Sequence, residues 1–126
     1  MSLTRLFMGI GGLAGCAGVA LGALSAHALR ARIDAAGLQT LDTVSKYLLV
    51  HGVLLVAVAF WMRAEPDALL LRLAGLCVVV GIFCFCGGLS TSIIAGLSAF
   101  GAAAPFGGTA LMAGWLLLAL YGMTKA

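Results

Sequence analysis

Two histidines and one tyrosine are the side chains in this sequence with the clearest potential for chemistry. His27 follows a run of glycine, alanine and leucine, and His51 lies within a second apolar run, four residues after Tyr47. Residues four apart on a helix are neighbours, so Tyr47 and His51 touch if this segment is helical. An ionisable side chain inside a membrane segment is a candidate functional site.

Several kinds of site are compatible with these residues. A cluster could bind a quinone or a lipid headgroup, and the candidate ligand-binding set is His27, Gln39, Tyr47, His51, Ser90 and Thr109. Two histidines could also ligate haem in a helical bundle. In the structural alternative, the histidines bond to backbone carbonyls at a helix–loop corner, and serine and threonine bond to the carbonyl of residue i−4.

Other reactive residues form no catalytic or metal-binding pattern. Two histidines near only two carboxylates, Asp34 and Asp42, are too few for a metal site. All four acids fall in predicted loops or at helix ends, and no pattern for nucleophilic catalysis or phosphate binding occurs. The four cysteines lie in apolar runs without CxxC spacing, so we interpret them as small buried apolar residues. We therefore expect no enzyme, no metal and no cofactor.

The composition indicates that lipid surrounds the elements that hold these residues. Hydrophobic residues make up 63% of the 126 residues and charged residues only 9%, whereas a soluble domain carries about 25% charged residues. The few basic residues are isolated between apolar runs, as in membrane flanks, so the net charge of +3 does not indicate nucleic acid. The lipid bilayer is the predicted partner.

Charge-free runs divide the chain into membrane spans. Residues 6–29 and 47–62 contain no charge, and residues 73–124 are long enough for two spans, separated at SAFGAAAP. Upstream of Tyr47 the apolar spacing stays helical, and Asp42 precedes Lys46 by four residues, so the second helix is extended. We predict one all-α membrane domain over residues 1–126, a four-transmembrane-helix bundle with short loops and spans near 6–29, 38–62, 70–95 and 105–123.

Flanking charges suggest an orientation. The side that carries both termini holds Arg5, Arg63, Arg72 and Lys125, and the other side holds Arg30, Arg32 and Lys46. The positive-inside rule then favours cytoplasmic termini in a bacterial inner membrane. The first apolar run exceeds the 7–15 residues of a signal-peptide core, so we expect a retained span rather than a cleaved leader.

Glycine spacing predicts the helix faces that pack together. In lipid, small residues let helix backbones approach closely. The expected packing glycines are Gly11, Gly15, Gly18, Gly22, Gly81, Gly88 and Gly114. Such faces suit packing within the monomer or a homo-oligomer, and spacing alone leaves both open. His27 lies about 160° around the helix from the Gly11–Gly22 face, which is an objection to haem ligation.

The four spans would bring the polar residues towards one membrane face. His27 lies near the exit of the first span, and His51 lies about one turn inside the second on the same side. Ser90 and Thr109 reach that side from the third and fourth spans. We therefore expect His27 and His51 at a similar depth.

The motifs resemble a known family of small membrane proteins. GALSAHAL (22–29), LQTLDTVSKYLLVHGVLL (38–55), GIFCFCGGLS (81–90) and APFGGTALMAGWLLLAL (104–120) keep the order and spacing of domain-of-unknown-function family 423, which includes mitochondrial transmembrane protein 256. Ser25, Leu38, Gly52 and Ala104 depart from the usual glycine, aromatic, alanine and threonine. The resemblance implies four inner-membrane spans and assigns no function.

The sequence supports three hypotheses of function. The first is a structural or accessory membrane protein that self-associates or joins a larger complex, because glycine faces are present and catalytic groups are not. The second is a binder of a small hydrophobic ligand, such as quinone, lipid headgroup or haem, at His27, Tyr47 and His51. The third is an oligomeric transporter or channel.

Overall fold

Four long helices form the protein in this computed structural model, which describes residues 1–125. They are α1 (Leu3–Ala26), α2 (Ala35–Ala64), α3 (Leu69–Ile94) and α4 (Ala104–Lys125). Each belongs to a helical segment long and apolar enough to cross a membrane, and no β-strand occurs within the described residues. The predicted all-α membrane fold with an extended second helix is confirmed.

Local capping explains where the helices begin and end. The Ser2 hydroxyl accepts from the Arg5 N–H at 3.3 Å at the start of α1. The Asp34 carboxylate accepts from the Gly37 N–H at 2.8 Å, so α2 begins at Ala35, before the predicted Leu38. Helix α2 ends next to Pro66, and Pro105 lies in the first turn of α4, where a proline needs no N–H partner.

Short 3₁₀ turns connect the helices on one side of the bundle. The residues Ala28–Ala31 lead from α1 towards α2, and Ser98–Ala103 lead from α3 into α4. Gly96 lies between the end of α3 and the second of these turns, and its φ of 70° lies in the left-handed region that favours glycine. Residues 98–103 of the predicted break SAFGAAAP lie in this connection, and Ala104 and Pro105 begin α4.

Helices α1 and α2 pack through their backbones. A Cβ atom on Gly52 would lie 2.8 Å from the Gly11 carbonyl oxygen, and one on Gly18 would lie 3.0 Å from the Ser45 carbonyl oxygen. The Ser45 hydroxyl donates to the Gly18 carbonyl at 2.7 Å, across the same contact. Only very small residues permit this approach, so the glycines hold α1 and α2 together as the first of two helical hairpins, the second being α3 and α4.

Helices α3 and α4 pack in the same way. A Cβ on Gly114 would lie 2.8 Å from a Val78 methyl, and a Cβ on Gly107 would overlap the backbone of Phe85. The two hairpins then meet where Phe7 of α1 fits against Gly75 of α3. The core is therefore built from close approaches rather than from large side chains alone.

A π-helical segment interrupts α3 at Ile82–Gly87. A π turn contains one more residue than an α turn, so it shifts which side chains face the neighbours. Phe85, within this segment, lies against Gly107 of α4. The thiol of Cys86 points to the Val44 carbonyl of α2, with 4.0 Å between sulfur and oxygen.

Helices α2 and α4 meet mainly through side chains. At one end the rings of Trp61 and Tyr121 meet edge to face, with centroids 5.2 Å apart, and Lys125 lies 3.9 Å from a Glu65 carboxylate oxygen. Nearer the other end, His51 and Trp115 form the second contact. Because the two backbones stay apart, pockets open between these helices.

Candidate functional site

His51 is the buried histidine of the molecule, with 6% of its surface exposed. Its Nδ1 lies 2.8 Å from the Tyr47 carbonyl oxygen, one turn back on α2. Its Nε2 receives the indole N–H of Trp115, at 3.1 Å, from α4. Both ring nitrogens are therefore paired within the protein, as a polar group in lipid requires.

These two partners define which nitrogen of the His51 imidazole carries the hydrogen. A carbonyl oxygen can only accept, so Nδ1 carries the hydrogen. An indole N–H can only donate, so Nε2 carries the lone pair. The neutral Nδ1–H tautomer of His51 satisfies both contacts, and its Nε2 is an acceptor.

Aromatic rings surround this hydrogen bond. Tyr47 and Phe85 stack with centroids 4.7 Å apart and an angle of 21° between their planes. The Trp115 ring meets His51 nearly edge-on, with 6.1 Å between centroids. The π segment of α3 supplies Phe85, so the irregular turn contributes directly to the site.

A pocket of about 280 Å³ lies beside the hydrogen bond. We call it the aromatic pocket, and its lining residues are Tyr47, His51, Phe85, Gly108, Leu111, Met112 and Trp115. Protein leaves 38% of Tyr47 and 46% of Trp115 uncovered. Both residues lie within membrane-spanning helices, so the pocket opens sideways towards lipid.

A second pocket of about 460 Å³ adjoins the first at Trp115. We call it the α2–α4 groove, and its lining residues are Leu49, Val50, Val53, Leu54, Ala57 and Trp115. Its lining side chains are hydrocarbon except for the indole. Trp115 therefore forms a wall of both the aromatic pocket and the α2–α4 groove.

His27 lies away from this site, which corrects the expectation that the two histidines share a depth. Gly52, next to His51, packs between Gly11 and Gly15 of α1, and His27 follows Gly15 by about 18 Å of helix axis. It is exposed at the C-terminal cap of α1. Joint haem ligation by His27 and His51 does not fit this separation, nor the paired Nε2 of His51.

The other residues of the candidate set are dispersed. Gln39 is exposed on the first turns of α2, and its backbone carbonyl accepts from the Thr43 hydroxyl. Thr109 donates to the Pro105 carbonyl at 2.8 Å, an i−4 contact within its own helix. Ser90 lines a separate apolar pocket of about 330 Å³ between α1 and α3. Of the six residues, the structure brings Tyr47 and His51 together.

The seven expected packing glycines occupy different surroundings. Gly11, Gly18, Gly81 and Gly114 lie where a Cβ would come within 3.0 Å of a neighbouring helix. A Cβ on Gly22 would lie 3.1 Å from the Ser45 hydroxyl, and a Cβ on Gly88 would lie 2.6 Å from the Phe100 carbonyl. A Cβ on Gly15 would meet nothing within 4 Å.

Two residues of the site were not predicted to contribute to it. Trp115 is part of the motif that resembles the family but has no predicted role there, and no role is predicted for Phe85. A signal for Trp115 existed, because it lies about ten residues from either end of α4, and an indole N–H at that depth in the membrane needs a partner. No sequence signal indicated Phe85, because its position depends on the π turn.

Residues 1–125 contain no group of three or more His, Cys, Asp or Glu side chains that could hold a metal ion. The four cysteines are free thiols in different surroundings: Cys16 is exposed, Cys77 and Cys84 are partly covered, and Cys86 is buried. The aromatic pocket offers hydrogen-bonding atoms at His51 and Trp115 and ring faces at Tyr47 and Phe85.

Comparisons with known proteins agree on the kind of molecule. Residues 21–108 match the family described as "Protein of unknown function (DUF423)". The chain is 34% identical over 108 residues to a UPF0382 membrane protein of Haemophilus influenzae, which covers 86% of this chain and 85% of that protein. It is 30% identical over 114 residues to the UPF0382 membrane protein YwdK of Bacillus subtilis, which covers 90% and 93%. No solved structure matches the chain.

Proposed function

This chain belongs to the DUF423 family of membrane proteins, and we propose that it binds a small hydrophobic molecule in the aromatic pocket. The observation that supports this function is the buried His51, whose Nε2 accepts from Trp115 at the wall of a pocket that opens to lipid. An ionisable side chain within the membrane is costly, and such residues commonly mark ligand or ion sites.

Two further features of the pocket support binding. Its volume of about 280 Å³ is close to the lower end of the range for ligand sites, about 300–1,000 Å³. Its walls combine stacked aromatic rings with few polar groups, the usual composition of a site that orients a small molecule. The opening between α2 and α4 would admit a ligand directly from the bilayer.

Filling the pocket tests the proposal without disturbing its hydrogen bond. A Cβ on Gly108 would have only a Phe85 ring carbon nearby, at 3.9 Å, so Gly108→Leu would place a side chain in the pocket. We expect native mass spectrometry of protein extracted in mild detergent to find a bound small molecule on the wild type, and its loss in this variant.

The matched control is Gly122→Leu on the same helix, where a Cβ would meet nothing within 4 Å. This variant should retain the bound molecule at the wild-type level. If the wild-type protein carries no small molecule, or if both leucine variants retain it equally, the proposal is wrong.

Self-association in an accessory role is a second candidate, and the outer face of α1 favours it. Gly9 and Gly12 are exposed, and a Cβ on either would meet nothing within 4 Å. The monomer therefore does not need glycine at these positions, although glycine weakens a helix interior. With Cys16, Ala20 and Ala23 they lie within about 80° of arc, all exposed.

Disulfide crosslinking at Cys16 in membranes tests this second candidate, with the other cysteines changed to serine. We expect a crosslinked dimer in the parent protein and much less in Gly12→Leu, because a larger side chain would separate the two helices. A protein that stays uncrosslinked at Cys16, or that crosslinks equally in both forms, contradicts it.

We also propose a bacterial inner-membrane location with cytoplasmic termini. Arg5, Arg63, Arg72 and Lys125 flank the side with the termini, against three basic residues on the other side. A reporter enzyme that is active only outside the cytoplasm should be inactive when fused after the C-terminus and active when inserted in residues 32–34. The reverse pattern would overturn this orientation.

A further inference from the structure

We propose that the molecule bound in the aromatic pocket is an amphiphile with a hydroxyl group on a planar ring and a hydrocarbon tail. This inference rests on the binding function proposed above and names the chemical class of the ligand. It follows from the His51–Trp115 hydrogen bond and from the groove that adjoins the pocket.

A hydroxyl both donates and accepts, so it can enter the His51–Trp115 contact without leaving either partner unpaired. It would donate to Nε2 of His51, which is an acceptor in this tautomer, and accept from the indole N–H of Trp115. A ketone, ether or ester oxygen could only accept from the indole, and would leave the buried Nε2 facing another lone pair. An unpaired buried polar atom carries a large penalty.

The two partners differ in their freedom to make room for such a group. His51 is held by the Tyr47 carbonyl and is 6% exposed. Trp115 is 46% exposed and lies at the edge between the pocket and the groove. An arriving hydroxyl therefore displaces the indole outwards while the imidazole stays in position.

The walls indicate the rest of the ligand. The stacked rings of Tyr47 and Phe85, with 4.7 Å between centroids, offer an aromatic surface to a planar ring. Beyond Trp115, the α2–α4 groove offers about 460 Å³ lined by aliphatic side chains of α2. A ring in the pocket and a tail in the groove would use both spaces at once.

Tryptophan emission provides a direct test on the intact chain. The protein has two tryptophans, so Trp61→Phe leaves Trp115 as the reporter and keeps a ring against Tyr121. Titration in lipid nanodiscs would compare 4-nonylphenol with its methyl ether, 4-nonylanisole. These probes share the ring and the tail and differ in the ability to donate. We expect the phenol to bind at least about tenfold more tightly.

Two more probes separate the parts of the ligand. Nonan-1-ol has the hydroxyl and tail without the ring, and 4-methylphenol has the hydroxyl and ring without the tail; both should bind more weakly than 4-nonylphenol. Val53→Phe, which fills the groove at an exposed position, should weaken 4-nonylphenol and leave 4-methylphenol unchanged. Leu116→Phe, exposed on α4 outside the lining of either pocket, should change neither.

The natural source of this chemistry can be a reduced quinone or another phenolic lipid, and a redox pair distinguishes them. Under anaerobic conditions, a decyl-substituted benzoquinol that binds like 4-nonylphenol, while its quinone binds weakly, indicates the reduced quinone. Weak binding of both forms alongside tight binding of 4-nonylphenol indicates a monophenolic lipid. Either result supports the hydroxylated ring.

Failure of this inference is distinguishable from failure of the binding function. If 4-nonylphenol and 4-nonylanisole bind equally and Gly108→Leu blocks both, the pocket binds ligands but does not select a hydroxyl. If neither probe binds the wild type, the inference is wrong, and the small molecule retained in native mass spectrometry decides the binding function separately. If the probes bind and Gly108→Leu affects neither, both the inference and the proposed function are wrong.

Discussion

Helix α2 presents two contrasting faces to the rest of the protein. One face, with Ser45 and Gly52, lies so close to α1 that a Cβ on Gly52 would come within 2.8 Å of a carbonyl oxygen. The other face, with Tyr47 and His51, meets α4 only through side chains, beside a pocket of about 280 Å³. The same helix is thus tightly packed on one side and open on the other.

The difference reflects what holds helices together in lipid. Lipid tails are as apolar as leucine, so association depends on close packing and on hydrogen bonds between helices. The α1–α2 face uses close packing, which excludes any other molecule. The α2–α4 face uses the His51–Trp115 hydrogen bond and leaves space beside it. The tight face therefore provides stability, and the open face is available for binding.

The largest effect on stability should come from adding a side chain to the tight face. In Gly52→Leu the new side chain would collide with the backbone of Gly11 and Gly15. Overpacking of this kind against backbone should cost at least about 3 kcal/mol. Unfolding by SDS titration in mixed micelles would measure the change in free energy of unfolding.

The control for this substitution is Gly122→Leu, where a Cβ would meet nothing within 4 Å. It should change the free energy of unfolding by less than about 0.5 kcal/mol. Similar losses in the two variants would mean that close approach at Gly52 does not stabilise the hairpin.

The tight face could largely be predicted from the sequence. Charge-free runs set the number of helices, and glycines three and four residues apart marked the side of α1 that meets α2. Which glycines are needed is less predictable. Gly15 has open space in the direction of its missing Cβ although it fits the spacing, because only its backbone nitrogen, and not the position of that Cβ, lies against Gly52 of α2.

The open face could be predicted only in part. Tyr47 and His51 are one turn apart, so their contact follows from helix geometry alone. The partners from other helices depend on how α3 and α4 are rotated and shifted, which spacing within one helix does not determine. The π turn changes that rotation inside α3, in the segment that places Phe85 against α4.

The next largest effect on stability should come from breaking the hydrogen bond of the open face. Trp115→Phe keeps a ring but removes the N–H, so Nε2 of His51 loses its partner. We expect a loss of about 1 kcal/mol, within the range for hydrogen bonds between membrane helices. A double-mutant cycle with His51→Leu should give a coupling of similar size. Additive losses would show that the two side chains do not stabilise each other.

A smaller effect should follow from removing the hydrogen bond across the tight face. The Ser45 hydroxyl donates to the Gly18 carbonyl at 2.7 Å. That carbonyl already accepts from its own helix, so Ser45→Ala leaves no buried group unpaired. We expect a loss of about 0.5 kcal/mol in the same unfolding assay. A loss above that of Trp115→Phe would mean that this hydrogen bond stabilises the protein more than the one between His51 and Trp115 does.

The smallest effect should come from the ion pair at the far end of the open face. Lys125 and Glu65 lie 3.9 Å apart with side chains 59% and 40% exposed. Exposed pairs at this separation contribute about 0–1 kcal/mol and are weakened by salt. Lys125→Gln should therefore change the free energy of unfolding by less than about 0.5 kcal/mol at any salt concentration. A larger loss that disappears in high salt would show that the Lys125–Glu65 pair contributes more than an exposed ion pair does.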